Sequence, residues 1–276
     1  FFSSIFIFVH LLLLIINQSK MKKIFFLILL IPLFSLAQYV GADFIVLNEG
    51  KESDYHQLEK VWKAYHQKSV DSGEKIGWSV WKRTPRENDN ENAAHYVVFN
   101  QFSSKEQMEN FMKNWSMNKA ISIMKTGMKG KMSSKTVDRI VKNGGKLKKE
   151  VRQYTIQLID ATPLAGGNLK IGDKMYFGTM SQKLDDYEKY ESEVWKPVFE
   201  REILRNNHRW WAVTKIVDRN DLAYQNATHF VWNIPIKDPK PFIEEQDYKS
   251  NKLQSMMDEF RQMSPASELT LVYLIE

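Results

Sequence analysis

The chain has no cysteine among its 276 residues. That excludes disulfides, thiol catalysis, thiolate metal sites and a cysteine-linked lipid anchor. Phosphate-loop chemistry is excluded too, because Gly166-Gly167 has neither a following helix nor a Lys-Ser/Thr pair. There is no nucleophile elbow. No pair of carboxylates stands apart from ordinary solvated helix charge: Asp185, Asp186, Glu188, Glu191 and Glu193 read as an exposed acidic helix. Glu59 lies one turn from His56 and two turns from His66, but a third ligand is missing, so no metal site is expected.

Apolar residues make up 43% of the chain and aromatics 13%, enough for a substantial core without covalent staples. Met21-Lys22-Lys23, the apolar run Ile24–Leu33 and Ser35-Leu36-Ala37 have the parts of a secretory signal, with small residues at −3 and −1 before Gln38. The run is short for a spanning helix, which needs ~20 apolar residues. Residues 1–20 read as an upstream or non-native segment, residues 21–37 as a signal peptide, and the protein as exported, periplasmic or secreted after cleavage. Without residues 1–37 the formal charge falls from +6 to +3, and Lys125–Arg152 alone carries +8. The basic pI therefore reflects one segment. That segment could contact an anionic surface. It has no interleaved aromatics for base stacking, so nucleic acid is not an expected partner.

The rest of the chain repeats itself. Trp62-Lys63 is followed 16 residues on by Trp78 and 33 on by His95; Trp195-Lys196 is followed 16 on by Trp211 and 34 on by His229. Lys82 and Lys215 each follow their strand tryptophan by four. A repeat this long is a duplicated domain, not a solenoid unit. Residues 38–161 form the first repeat, 162–170 a linker and 171–276 the second.

Each repeat reads strand, helix, strand, strand, helix, strand. Tyr55, Leu58, Val61, Trp62 and Tyr65 recur at helical spacing, while Ile76–Lys82 and His95–Gln101 alternate as half-buried strands. Ser103 with Glu106 predicts a capping box, followed by a helix carrying Met108, Phe111, Met112 and Trp115. A further helix spans roughly Ser134–Lys142, and Asp238-Pro239 marks the start of the last one. The fold class is α+β: two tandem ferredoxin-like βαββαβ repeats, packed sheet to sheet as a pseudo-dimeric α/β barrel.

By this element order and duplication, the chain resembles the dimeric α/β-barrel superfamily in a fused, single-chain form. The resemblance covers roughly residues 40–276 and is one of architecture. It implies a cavity beside each sheet. It also implies a function among cofactor-free monooxygenases, haem proteins and small aromatic isomerases, and it transfers no catalytic residue. No cofactor is expected from the residues; haem enters through the resemblance, with His66 on its helix as the residue to hold iron.

His95 and His229 are the candidate catalytic residues, since a buried neutral imidazole can act as general base or substrate donor. The alternative is a pair of hydrogen-bonded structural histidines. Trp62, Trp78, Trp81, Trp195, Trp211 and Trp232 are candidate linings of a site for a small apolar or aromatic ligand, or else simply core. Lys82 and Lys215 would orient an anionic group. The functional expectation is an exported ligand-binding protein with a monooxygenase-like or isomerase-like enzyme as its extension. The alternative is a non-catalytic envelope scaffold that uses residues 125–152.

Overall fold

A computed structural model describes residues 38–236 and 248–276. The expected signal peptide, the upstream segment and the helix start at Asp238-Pro239 lie outside the described residues.

The chain begins with β1 (Tyr39–Leu47) and α1 (Glu52–Asp71). In α1, Tyr55, Leu58, Val61 and Tyr65 are buried along one face, with Glu52 and Asp54 in the first turn and Lys68 in the last, complementing the helix dipole. Then come β2 (Gly77–Arg83), β3 (Tyr96–Phe102), α2 (Lys105–Asn114), α3 (Met117–Gly127), α4 (Ser134–Asn143) and β4 (Lys148–Ala161). The second half runs β5 (Lys174–Gln182), α5 (Tyr187–Tyr190), a π turn (Glu191–Trp195), α6 (Lys196–Leu204), β6 (His208–Arg219), β7 (His229–Pro235), α7 (Tyr248–Phe260), β8 (Arg261–Met263) and β9 (Ser267–Ile275).

Two local expectations shift. Ser104, not Ser103, caps α2, accepting from the Gln107 amide, while the Gln107 side chain returns to the Ser103 amide. The helix expected to end near Trp115 is followed by a second one, α3. Trp115 and Ser116 are extended, and Ser116 caps α3 through the Lys119 amide.

Eight antiparallel strands in the order β7-β6-β4-β1-β3-β2-β9-β5 close into a barrel through the β5–β7 pairing, with β8 continuing beside β5. Strands of the two halves join edge to edge, β4 with β6 and β2 with β9, so closure leaves no free edge between them. The lumen is packed. Phe44, Trp81, Val97, Phe99, Tyr154, Phe177, Phe230 and Trp232 belong to one buried cluster. The indole N–H groups of Trp81 and Trp232 donate to Ser79 and Thr214 hydroxyls, each at 2.9 Å. Helices cover the outer face of the barrel, where α1 packs over Trp78, Val80 and Tyr96. On the second half, Tyr187, Phe199, Trp211 and Val231 share the equivalent outer cluster. Among the described residues no helix is long and apolar enough to cross a membrane.

Candidate functional site

The tryptophans keep the register expected of them and the histidines do not. Trp62 stacks on His66, which stacks on Trp78 at 4.7 Å and 22°. Trp195 meets Phe199, which stacks on Trp211 at 5.5 Å and 14°. His95 and His229, however, fall on different faces. The interval from the strand tryptophan is one residue longer in the second half, and a one-residue slip turns a strand's side chains over. His229 follows Trp211 on the outer face: it is fully buried beneath Tyr187, 4.8 Å between ring centroids. His95 instead precedes β3 and is exposed, contrary to the half-buried position expected. Its Nδ1 accepts the Leu47 amide at 3.0 Å, so it finishes the end of β1.

Tyr96, one residue on from His95, occupies the place of His229. Tyr96 is registered opposite Lys82, and His229 opposite Lys215. Lys82 pairs with Glu52 at 2.6 Å, and the Tyr96 hydroxyl donates to the same carboxylate at 2.6 Å. Lys215 pairs with Glu188 at 2.7 Å, and His229 Nε2 lies 3.2 Å from that carboxylate. Both lysines are thus outer-face ion-pair partners with exposed ends. Burial lowers the His229 pKa despite Glu188. Trp81 and Trp232 are inside the lumen, on the far side of the sheet from Trp62, Trp78, Trp195 and Trp211. The expected ligand-lining set is therefore split into three groups that do not meet.

What the fold does assemble is a polar cluster at the C-terminal end of α1. The Lys75 side chain, 1% exposed, runs under the helix. Its Nζ lies 2.5 Å from His66 Nδ1 and donates to Asn100 Oδ1 at 2.7 Å. The Phe111 ring centroid is 5.4 Å away. Among the described residues no carboxylate forms an ion pair with Lys75; neighbouring Glu74 is engaged by Lys119 at 2.9 Å. Desolvation brings the Lys75 pKa down to about 7 and pushes the His66 pKa well below its ordinary value, with the lysine charge acting in the same direction on His66. The Trp78 indole N–H beside this cluster has no hydrogen-bond partner among the described residues. A cleft of about 350 Å³ opens on the other side of Phe111, lined by Tyr65, Gln107 and Trp115 and by the charged Glu74, Glu106 and Lys119 among others. Phe111 touches both spaces.

A second buried group lies farther along α1. Glu59 is 4% exposed, has no ion-pair partner among the described residues, and its pKa is pushed up by burial to about 7. Tyr55 and half-buried Asp43 are its neighbours, and burial raises the Asp43 pKa as well.

The second half answers both clusters differently. His208 meets Asn233 at 3.3 Å, much as Lys75 meets Asn100, and each asparagine is registered opposite the strand tryptophan. Phe199 stands in place of His66. Glu191, which corresponds to Glu59, is paired with Arg261. The π turn adds one residue between Tyr187 and Trp195 relative to Tyr55 and Trp62.

Lys75 and Asn100 were not among the expected site residues, since lysines are almost never fully buried. His66 was expected, as a ligand contact or iron holder. The cluster does not fit haem. An iron-bound histidine normally turns its other ring nitrogen to an acceptor. Here that nitrogen faces the Lys75 amine, and an N–H donated by that amine to Nδ1 places the imidazole proton on Nε2 and removes the ligating lone pair. No cluster of three metal-ligating side chains occurs among the described residues.

No family model and no curated protein sequence matches the chain. Solved structures do. An anthrone oxidase-like protein aligns at 13% identity over 86% of this chain and 92% of its own, with a TM-score of 0.51. A candidate monooxygenase from Lactobacillus acidophilus aligns at 10% identity over 86% and 94%, and one from Fusobacterium nucleatum at 12% over 86% and 92%, each with a TM-score of 0.51. Identities this low speak for fold alone, and the closed eight-stranded sheet with helices on its outer face agrees with them: the chain has the dimeric α/β-barrel fold.

Proposed function

We propose that the first half holds a cofactor-independent site for a small, largely apolar aromatic ligand, in which the Lys75–His66 pair moves a proton. The observation that carries this reading is the Lys75 amine, buried beside the Phe111 ring, held by two neutral acceptors and in no ion pair among the described residues. An amine and an imidazole of lowered pKa are suited to take a proton from a weak carbon or phenolic acid near neutral pH. The adjoining cleft has the volume of a small-ligand pocket, typically ~300–1,000 Å³. Monooxygenase-like turnover, in which a deprotonated aromatic reacts directly with oxygen, is the extension we favour over isomerisation, and the names of the structural neighbours lean the same way.

Oxygen uptake with anthrone as probe tests it. Anthrone and O₂ would give anthraquinone and water, in equal amounts. Uptake by the wild type, lost in Lys75→Met and retained in His229→Phe, is expected. No uptake above the buffer rate, or equal uptake in Lys75→Met, would contradict the catalytic reading.

We further infer that the halves are tandem ferredoxin-like repeats. Supporting this, the first half orders its strands β4-β1-β3-β2 and the second β6-β7-β5-β9, the same order read in reverse. We also infer export with cleavage after Ala37. N-terminal sequencing of the exported protein should begin at Gln38, and an intact apolar N-terminus would contradict it.

The scaffold reading retains one observation in its favour. Lys129, Lys131, Lys135, Arg139, Lys142 and Lys146 are exposed, and no ion pair engages them among the described residues. Sedimentation with anionic vesicles would detect the surface contact it requires.

A further inference from the structure

We propose that Lys75 is a nucleophilic amine that condenses with a small aromatic aldehyde or ketone entering from the cleft behind Phe111, giving a reversible imine. The proposal rests on the placement of the ligand site argued above and goes beyond it in naming a covalent step and a substrate class.

Three features of the site support a nucleophile here. First, Nζ is held by His66 Nδ1 at 2.5 Å and Asn100 Oδ1 at 2.7 Å, both neutral acceptors, where a structural lysine would meet a carboxylate. Desolvated lysines with cationic or apolar neighbours are the kind that form Schiff bases. Second, the surroundings suit a flat ring, since Trp62, His66 and Trp78 already form a stack and Phe111 closes the near side. Third, the wall between Nζ and the cleft is a side chain on α2, a helix with no fully buried residue. An element packed so lightly opens more readily than the core.

The chemistry balances without a co-reactant. The uncharged amine donates its lone pair to the carbonyl carbon, forming the C–N bond as the C–O π pair moves to oxygen. The new ammonium gives a proton to His66 Nδ1. His66 passes that proton to the alkoxide, giving the carbinolamine hydroxyl, and the remaining N–H proton follows the same path to the hydroxyl, which leaves as water as the C=N bond forms. One carbonyl compound and one amine become one imine and one water. Asn100 keeps Nζ aimed throughout.

The experiment is reductive trapping on the chain from Gln38 to Glu276 with benzaldehyde and cyanoborohydride, read by peptide mapping of every lysine. Lys75 should label fastest of all lysines in the wild type. Labelling there should accelerate several-fold in Phe111→Ala, slow in His66→Phe, and be competed by 2-naphthol. Lys75→Met should lose the dominant adduct while keeping its circular dichroism spectrum. Label that follows exposed lysines and spares Lys75 in both the wild type and Phe111→Ala overturns the proposal. Binding of 2-naphthol, followed separately by tryptophan fluorescence, separates this failure from that of the ligand site. Saturable binding that needs Lys75 without any adduct refutes the imine alone; loss of both refutes both.

Discussion

His66 and Phe199 occupy the same place in the two halves, each four residues after a helix tryptophan and each stacked on a strand tryptophan. One is a buried base hydrogen-bonded to an amine, and the other is a hydrocarbon ring. The two sides of the barrel thus share a scaffold and differ in chemistry, which is why the first half is read as the working one.

The Lys75–His66 contact should be visible as thermodynamic coupling. His66→Phe and Lys75→Met each strand a buried polar group, at a cost of ~1–3 kcal/mol. The double variant removes both partners and should be less destabilised than the sum of the singles. Denaturant unfolding of the four proteins measures this, and strict additivity would show that the two groups do not interact.

Glu59 predicts a pH-dependent gain from neutralisation. Its folded pKa, about 7, lies above the ordinary carboxylate value of 4.5, so the folded state holds its proton longer than the unfolded state does. Stability tied to that proton is complete below pH 4.5 and is lost as pH rises to about 7. Glu59→Gln should therefore be near neutral at pH 4.5 and stabilising at pH 8, by on the order of 3 kcal/mol. Equal effects at the two pH values would mean that the carboxylate is ionised in the folded protein at both.

Burial raises the Glu191 pKa as it does that of Glu59, but Glu191 has a charged partner in Arg261. Arg261→Met leaves a buried carboxylate alone and should cost ~3–5 kcal/mol, much of it recovered in the double variant with Glu191→Gln. Thermal unfolding of the three variants reads this directly.

The duplicated histidines should separate in stability. His229→Phe removes a buried imidazole from Glu188 and Thr228, for a loss of ~1–3 kcal/mol. His95→Phe should cost less, since His95 is exposed and water can replace its imidazole in the part-buried contact with the Leu47 amide. Comparable losses at both positions would contradict the opposite-face placement.

Much of the frame was legible in the sequence. Trp78 and Trp211 marked equivalent strands, and the strand–helix order led to the barrel. The histidine alignment failed on a count of one residue, because strands translate sequence parity into sides of a sheet. Helix α3 was missed, although Ala120, Met124 and Met128 recur every four residues and are buried. Lys75 gave no signal at all. Its burial depends on Asn100, 25 positions away, and on the fold of α2 over it. A strand-end lysine in isolation is indistinguishable from a solvated one.

We place the ligand site at Lys75 and His66, with no counterpart at Phe199 and His208. Titration with 2-naphthol, read by quenching of tryptophan fluorescence, tests it most directly. Saturable one-site binding is expected, weakened at least tenfold by Lys75→Met and by His66→Phe and unchanged by His208→Phe. Binding that survives both first-half substitutions and falls with His208→Phe would place the site in the other half and overturn this assignment.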